Sequence, residues 1–203
     1  MSEVAWAKKI RDRQNTNRWR KKMSRITAVD PAKATGKTRE LLDAVKKKLG
    51  LIPNMTRTMA QSPAVLEAYV NFSGALAAGK LDAKLREQLA LISAEANSCS
   101  YCASAHTAIG KIVGLDEDAI LSAREGYSRD PKTDAALKFA RAVIDKRGDV
   151  SDADLQAARD AGFSEGEVGE IIAHVALNIF TNYFNVVAQT EIDFPKVQVG
   201  VAA

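Results

Sequence analysis

Helix start and stop signals recur along the whole chain, whereas the apolar and polar alternation that marks β-strands is nearly absent. Apolar stripes at helical spacing follow capping residues and end at glycines, and Ser151 and Ser164 each open the spacing of a capping box. The last predicted helix, Val168 to about Thr190, is apolar over more than half of its circumference. Such a helix is buried on several sides, by its own domain or by another subunit. The sequence therefore predicts an all-α bundle of about eight to ten helices.

The helix signals also give approximate bounds for each element. The predicted helices are, by residue number, 37–49, 55–60, 63–78, 83–96, 99–113, 117–126, 131–147, 152–161 and 168–190.

Residues 1–22 form a basic arm, and the rest of the chain is slightly acidic. The arm holds eight Lys and Arg residues against Glu3 and Asp12, a net +6, which leaves −2 for the remainder of a chain whose total is +4. We expect residues 23–203 to form one all-α domain behind this arm. A solvated or packed N-terminal helix is favoured for the arm; docking to a larger assembly is an alternative, and nucleic-acid binding does not follow from the charge alone.

The composition is that of a soluble globular protein, with 46% hydrophobic and 27% charged residues. Polar residues break the apolar runs well short of the roughly 18 needed for a membrane span. The first 22 residues are charged throughout and lack the apolar region of a secretory signal. We therefore expect a cytoplasmic protein without membrane contact.

The chain has only two cysteines, and both lie in one short run with a histidine. On a helix, Cys99, Cys102 and His106 stand at positions i, i+3 and i+7 and share one face. Ser98 is the predicted N-cap, which places Cys99 in the first turn, where thiol pKa values are lowered. A break at Asn97 and Ser98 would fold the preceding helix back and bring Glu87 near the thiols. Thiolate, second thiol, base and carboxylate together predict a peroxide-reducing or disulfide-exchange site.

Blander interpretations exist for each of these residues. The thiols could be inert core cysteines, or they could bind zinc with His106 and a fourth ligand. Glu87, taken alone, reads as a surface charge among polar neighbours. His174, midway along the last helix, reads as a hydrogen-bonded core histidine.

The pattern Glu-x11-Cys-x2-Cys-x3-His resembles the AhpD-like branch of the carboxymuconolactone decarboxylase family. Its flanks agree, since residues 51–55 (LIPNM) look like the family's opening motif and residues 81–108 look like its core helix pair. The run TNYFN at 181–185 and the run DFP at 193–195 look like the ending of its peroxidase-related subgroup. The resemblance covers roughly residues 24–196 and leaves out the basic arm.

The resemblance implies an AhpD-like helical fold, homo-oligomers such as trimers or hexamers, and an antioxidant, alkylhydroperoxidase-like oxidoreductase with no metal, haem or other cofactor. By position, Cys102 would be the peroxidatic thiol, and Cys99 the resolving thiol that closes a redox-active disulfide. His106 and Glu87 would be the proton relay. The partners would be a hydroperoxide substrate and a thiol or lipoyl-type reductant.

One residue departs from the family's pattern. The best-characterised AhpD proteins carry a histidine immediately before the second cysteine, where this chain has Tyr101. A tyrosine with an ordinary pKa of about 10 is a poor proton shuttle at neutral pH, although it donates a hydrogen bond. The departure counts against a vigorous alkyl hydroperoxidase and against a lipoyl-type reductant.

Two other functions remain alternatives at this point. The first is a non-catalytic redox switch or assembly module that uses a Cys99–Cys102 disulfide. The second, a decarboxylase, is less favoured because that branch of the family does not depend on a Cys-x2-Cys pair.

Overall fold

The computed structural model describes residues 24–200 and contains nine helices and no strand within that range. The helices are α1 (Gly36–Leu49), α2 (Asn54–Met59), α3 (Pro63–Ala77), α4 (Ala83–Ala96), α5 (Ser100–Ile112), α6 (Glu117–Glu125), α7 (Pro131–Asp145), α8 (Asp152–Asp160) and α9 (Glu165–Ala188). The prediction of an all-α bundle is confirmed. The basic arm at residues 1–22 lies outside the described residues, so its separation from the domain stays a prediction.

Local signals account for most helix starts. The side chains of Asp82, Asp116 and Asp130 each accept a hydrogen bond from the backbone N–H three residues later, as N-caps do. Both predicted capping boxes form, at Ser151 and at Ser164. The second box starts α9 at residue 165, three residues earlier than the apolar pattern alone predicts.

Helix α4 is the central element, since it packs against α5, α6, α7 and α9. Its Leu89, Leu91 and Ile92 are completely buried in a core that α6 to α9 complete. A second apolar cluster joins α1, α2 and α3 to the start of α5, and Phe194 and Val197 from the C-terminal segment pack against it. The cysteine helix α5 contributes to the second core while it packs on the helix that organises the first.

Helix α9 is buried on one side and open on the other. By length and composition alone it is long and apolar enough to cross a membrane, but half of that stretch is buried inside the structure, as in the core helix of a bundle. On its outer side Ile172, Tyr183 and Val187 remain 44%, 58% and 62% exposed. The described part of the chain therefore leaves an apolar strip on α9 uncovered.

Candidate functional site

A tight connection between α4 and α5 brings the predicted site residues together. Asn97 ends α4, and the exposed Ser98 adopts a left-handed φ of 52°. The backbone N–H of Cys99 donates to the carbonyl of Ala94 at 2.9 Å, which closes the turn. Helix α5 runs back along α4 as a result, and His106 meets Glu87 from 19 residues earlier in the chain.

The two cysteines lie at the start of α5 and are joined by a disulfide, with their Cα atoms 5.3 Å apart. The sequence predicts Ser98 as the N-cap; this is wrong, because the left-handed backbone of Ser98 turns it away into solvent. Cys99 is the N-cap instead, and its sulfur accepts a hydrogen bond of 3.2 Å from the backbone N–H of Cys102. The free N–H groups and the dipole of the helix favour negative charge there, which stabilises the thiolate when the pair is reduced.

His106 and Glu87 form a hydrogen-bonded pair beside the disulfide. Nδ1 of the imidazole lies 2.7 Å from Oε2 of the carboxylate. The exposed fractions of the two side chains are 23% for His106 and 17% for Glu87, so the interpretation of Glu87 as a surface charge is wrong. Because the carboxylate engages Nδ1, Nε2 is the ring nitrogen left to exchange a proton.

The two cysteines line different cavities. Cys102 and His106 line a cavity of about 140 Å³ whose walls are largely apolar and aromatic, from Tyr69, Tyr101, Ile109, Leu177 and Phe194 among others. Cys99 lines a more open cavity of about 640 Å³ on the side of the C-terminal segment, with Gln189, Glu191 and Lys196. The disulfide therefore stands between a small, largely apolar chamber and a wider, more open groove.

Tyr101, between the two cysteines, is an anchor. Its hydroxyl oxygen accepts a hydrogen bond of 3.1 Å from the backbone N–H of Met55, at the start of α2. Its ring packs edge-to-face against Phe194, with centroids 5.8 Å apart. Burial raises the pKa of Tyr101 far above its usual value, and the carboxylate of Asp193 raises it further. The phenol therefore stays neutral throughout the physiological range and cannot act as the missing proton shuttle.

The C-terminal segment that follows α9 covers the site. Asp193 accepts a hydrogen bond of 2.7 Å from the backbone N–H of Asn54, and the Val197 N–H donates to the hydroxyl of Ser104 on α5 at 2.9 Å. Farther along, a buried ion pair between Arg124 and Glu95 holds the segment, since Glu95 also accepts from the backbone N–H of Gly200. Phe194 forms part of the cavity wall, and its position thus depends on contacts along the whole C-terminal segment.

Sequence reasoning missed two residues that border the small cavity. Tyr69 stands among many apolar residues of α3, and nothing in the sequence singles it out. Burial and then the charge of Glu87 raise its pKa to about 12. Asn185 entered only as part of the ending motif, yet its amide nitrogen lies 3.4 Å from the sulfur of Cys102. The signal for Asn185 is a buried polar stripe, with Asn178 and Thr181, along an otherwise apolar helix.

His174 belongs to the same face of α9. It is 5% exposed, which fits a core histidine, but its Nε2 has no hydrogen-bond partner among the described residues. Burial lowers the pKa of His174, and the neighbouring Arg86 lowers it further. The side chain is therefore neutral near pH 7.

Within residues 24–200, no group of three or more His, Cys, Asp or Glu side chains is arranged to hold a metal ion. Cys99, Cys102 and His106 are engaged by the disulfide and by Glu87 instead.

The described residues form an all-helical fold with a buried disulfide and an adjoining His–Glu pair. Residues 63–143, from the start of α3 to near the end of α7, match the profile of the carboxymuconolactone decarboxylase family. The profile covers 81 of the 203 residues, and the fold is similar to the AhpD-like helical fold that the resemblance implies. No curated protein matches the chain.

Three solved structures illustrate the likeness. An uncharacterized peroxidase-related protein from Ralstonia eutropha JMP134, described as an alkylhydroperoxidase AhpD core, is 27% identical, has a TM-score of 0.73, and aligns over 84% of this chain and 93% of its own. A cysteine-to-alanine variant of the debrominase Bmp8, in complex with 2,3,4-tribromopyrrole, is 23% identical, with a TM-score of 0.72 over 83% of this chain and 91% of its own. An uncharacterized peroxidase-related protein from Silicibacter sp. TM1040 is 22% identical, with a TM-score of 0.69 over 88% and 95%.

Proposed function

We propose that the protein is a thiol-dependent peroxidase, a disulfide oxidoreductase that reduces hydroperoxides with the Cys99–Cys102 pair. The observation that carries the proposal is the shared cavity: Cys102 and His106, whose imidazole is held by Glu87, line one small chamber, while Cys99 lines a separate groove. Substrate and reductant can then reach the two sulfurs from different sides.

The proposed reaction has two chemical steps. The Cys102 thiolate attacks the terminal oxygen of a hydroperoxide; an S–O bond forms as the O–O bond breaks, and the leaving alkoxide takes a proton from His106. Cys102 is then a sulfenic acid, and the products so far include an alcohol. The Cys99 sulfur attacks the Cys102 sulfur and the S–O bond breaks; the leaving oxygen takes the proton that the Cys99 thiol gives up and departs as water. The result is the disulfide that the structure contains.

An external dithiol, or a lipoyl-type dithiol, completes the cycle by reducing the disulfide through exchange. The reductant meets Cys99 first, since this sulfur borders the open groove. Overall, one hydroperoxide and two thiols give one alcohol, one water and one disulfide. We place this chemistry in the cytoplasm, where such a reductant is available.

The test is peroxide consumption by single-cysteine variants with a dithiol reductant. Cys102→Ser should lose at least a hundredfold in turnover. Cys99→Ser should still consume one equivalent of peroxide and accumulate a sulfenic acid that a dimedone probe traps. Peroxide consumption by Cys102→Ser at the wild-type rate would refute the proposal.

A second candidate is reductive removal of bromide from a small aromatic compound. It is favoured by the apolar, aromatic walls of the chamber beside Cys102 and by the likeness to a debrominase solved with a tribromopyrrole. The two thiols supply two electrons and two protons: one proton goes to the carbon as the carbon–bromine bond breaks, bromide and the second proton leave, and the disulfide forms. Bromide release from 2,3,4-tribromopyrrole in the presence of a dithiol, compared with peroxide consumption, separates the two candidates.

We also propose that the protein works as a homo-oligomer, a trimer or a hexamer. The exposed strip of α9 at Ile172, Tyr183 and Val187 supports this, because burying it would remove a large apolar surface from water. Light scattering should give a multiple of the 21.9 kDa chain, and Val187→Asp with Tyr183→Asp should lower it. A monomeric wild-type protein would contradict the proposal.

A further inference from the structure

One amide on α9 contacts the sulfur at which the proposed chemistry takes place. Nδ2 of Asn185 donates to Sγ of Cys102 at 3.4 Å and to Sδ of Met55 at 3.1 Å. The side chain is 3% exposed, so this contact is shielded from competing water. A hydrogen bond from a buried amide to sulfur is worth more to a thiolate than to a neutral thiol, because the charged acceptor gains more from the donor.

The other end of the same amide is unused. Oδ1 of Asn185 is buried and has no hydrogen-bond partner within residues 24–200. A buried acceptor without a partner is uncommon, since its desolvation is not compensated. Asn185 borders both the small chamber and the open groove. An unpaired acceptor beside a reactive sulfur is suited to a ligand that brings its own O–H.

We propose that Asn185 is a further catalytic residue: its amide N–H holds the Cys102 thiolate, and its amide oxygen accepts the O–H of the bound hydroperoxide. The second half of this inference rests on the proposed function. Both contacts favour the attack described above, because they hold the terminal peroxide oxygen beside the sulfur while the S–O bond forms and the O–O bond breaks. The new sulfenic acid keeps its O–H on the same amide oxygen until Cys99 displaces it.

The thiolate contact is tested without any peroxide. In a Cys99→Ser background, Cys102 is the only thiol, and its ionisation is followed by absorbance at 240 nm and by the pH dependence of alkylation with monobromobimane. Asn185→Ala should raise the Cys102 thiol pKa by about one unit, because a donor to the charged form is lost. Asn185→Asp, which conserves the shape, should raise it further, because a carboxylate repels the thiolate.

The peroxide contact is tested at high pH, where the thiolate is fully formed in every variant. Rapid mixing with tert-butyl hydroperoxide, in the same Cys99→Ser background, gives the plateau rate constant of sulfenic acid formation. Asn185→Ala should lower this plateau on the order of tenfold, because the peroxide is no longer oriented. A role limited to packing would move neither the thiol pKa nor the plateau.

Asn182→Ala is the matched control, since Asn182 lies on the same helix, is completely buried and bonds Asn97 instead of a cysteine. The inference would be overturned if both Asn185 variants had the thiol pKa of this control and a plateau rate constant within twofold of it. A shifted pKa with an unchanged plateau would refute the peroxide contact alone. A wild-type protein with no peroxide reaction at any pH would refute the proposed function, while the pKa comparison would still decide the thiolate contact.

Discussion

Nδ1 of His106 lies 2.7 Å from Oε2 of Glu87, across the hairpin that α4 and α5 form. The carboxylate fixes the orientation of the imidazole, while Nε2 is left for proton transfer. The pair is only partly exposed, so solvent does not fully screen the interaction.

Replacing Glu87 by Gln should therefore lower peroxide turnover by about ten- to a hundredfold, because the imidazole loses the carboxylate that orients it. The amide keeps the shape but not the charge. Steady-state assays with tert-butyl hydroperoxide measure the effect. Glu117→Gln, which removes a fully exposed partner of Lys111, is the control and should leave turnover unchanged. Equal rates for the Glu87 variant and this control would remove the pair from the mechanism.

Reducing the volume of the chamber beside Cys102 should raise the KM for a large hydroperoxide more than the KM for hydrogen peroxide. Ile109 borders this chamber, and a tryptophan there would occupy most of its volume. We expect Ile109→Trp to raise the KM for cumene hydroperoxide at least tenfold and to change the KM for hydrogen peroxide by less than threefold. Ile112→Trp, on the same helix but 83% exposed, should change neither KM. An equal effect on both peroxides would show that substrate does not use this chamber.

Loss of the Tyr101 hydroxyl should cost stability more than activity. Tyr101→Phe leaves the buried N–H of Met55 without its acceptor, which costs about 1–3 kcal/mol of the free energy of unfolding. Urea titration measures this change, and Tyr127→Phe, at an exposed tyrosine away from α9, serves as the control. Peroxide turnover should fall less than threefold, because the neutral phenol transfers no proton. A hundredfold loss of turnover in a folded variant would assign Tyr101 a chemical role.

The buried pair of Arg124 and Glu95 should be a large contributor to stability. Arg124→Met leaves the buried carboxylate without the arginine's charge and releases the carbonyl of Gln198, at an expected cost of about 3–5 kcal/mol. Limited proteolysis should then cut the C-terminal segment faster. Arg141→Met, which removes an exposed pair on α7, should have no measurable effect. Equal free energies of unfolding for the two variants would show that the Arg124–Glu95 pair does not stabilise the C-terminal segment.

His174 should make the fold sensitive to mild acid. Its pKa is lower in the folded protein than the ordinary 6.5, because burial and Arg86 oppose its charge more than Glu170 and Glu87 support it. As the pH falls below about 6.5, the unfolded chain binds a proton that the folded chain does not, and stability is lost. The loss cannot exceed about 1.4 kcal/mol per pH unit for one proton. Chemical denaturation of wild type and of His174→Phe from pH 8 to pH 5 measures it.

In the variant the acid-dependent part should be absent, so the two stability curves should separate below pH 6.5 in favour of His174→Phe. Parallel curves over this range would mean that His174 is charged in the folded state.

Most helices were predictable because their signals are local. Asp82 caps a helix whose observed end points are those predicted, and Gly50 ends α1 with a left-handed φ of 77°. The wrong prediction at the start of α5 has a local cause as well. Ser98 has the composition of an N-cap, but a left-handed backbone there shifts the cap to Cys99. No residue pattern announces that shift, because it depends on the close packing of α5 against α4.

The site was predictable only as far as residue spacing reaches. The spacing of Cys99, Cys102 and His106 on one helix face is a property of the sequence, and Glu87 follows once the helices pair. The contact of Asn185 with Cys102 spans 83 residues and exists only when α9 is packed, so the sequence holds only its faint trace, an amide on an apolar helix. The charge state of Tyr101 depends likewise on burial by distant segments.

The C-terminal segment determines when the site is completed during synthesis of the chain. Phe194 walls the chamber beside Cys102, and hydrogen bonds to Asn54 and Ser104 fasten the surrounding segment. A ribosome makes the two thiols about ninety residues before it makes that wall. During synthesis the cysteines are therefore open to cellular reductants and to other thiols, and the reactive sulfur becomes covered only when the C-terminal segment has emerged.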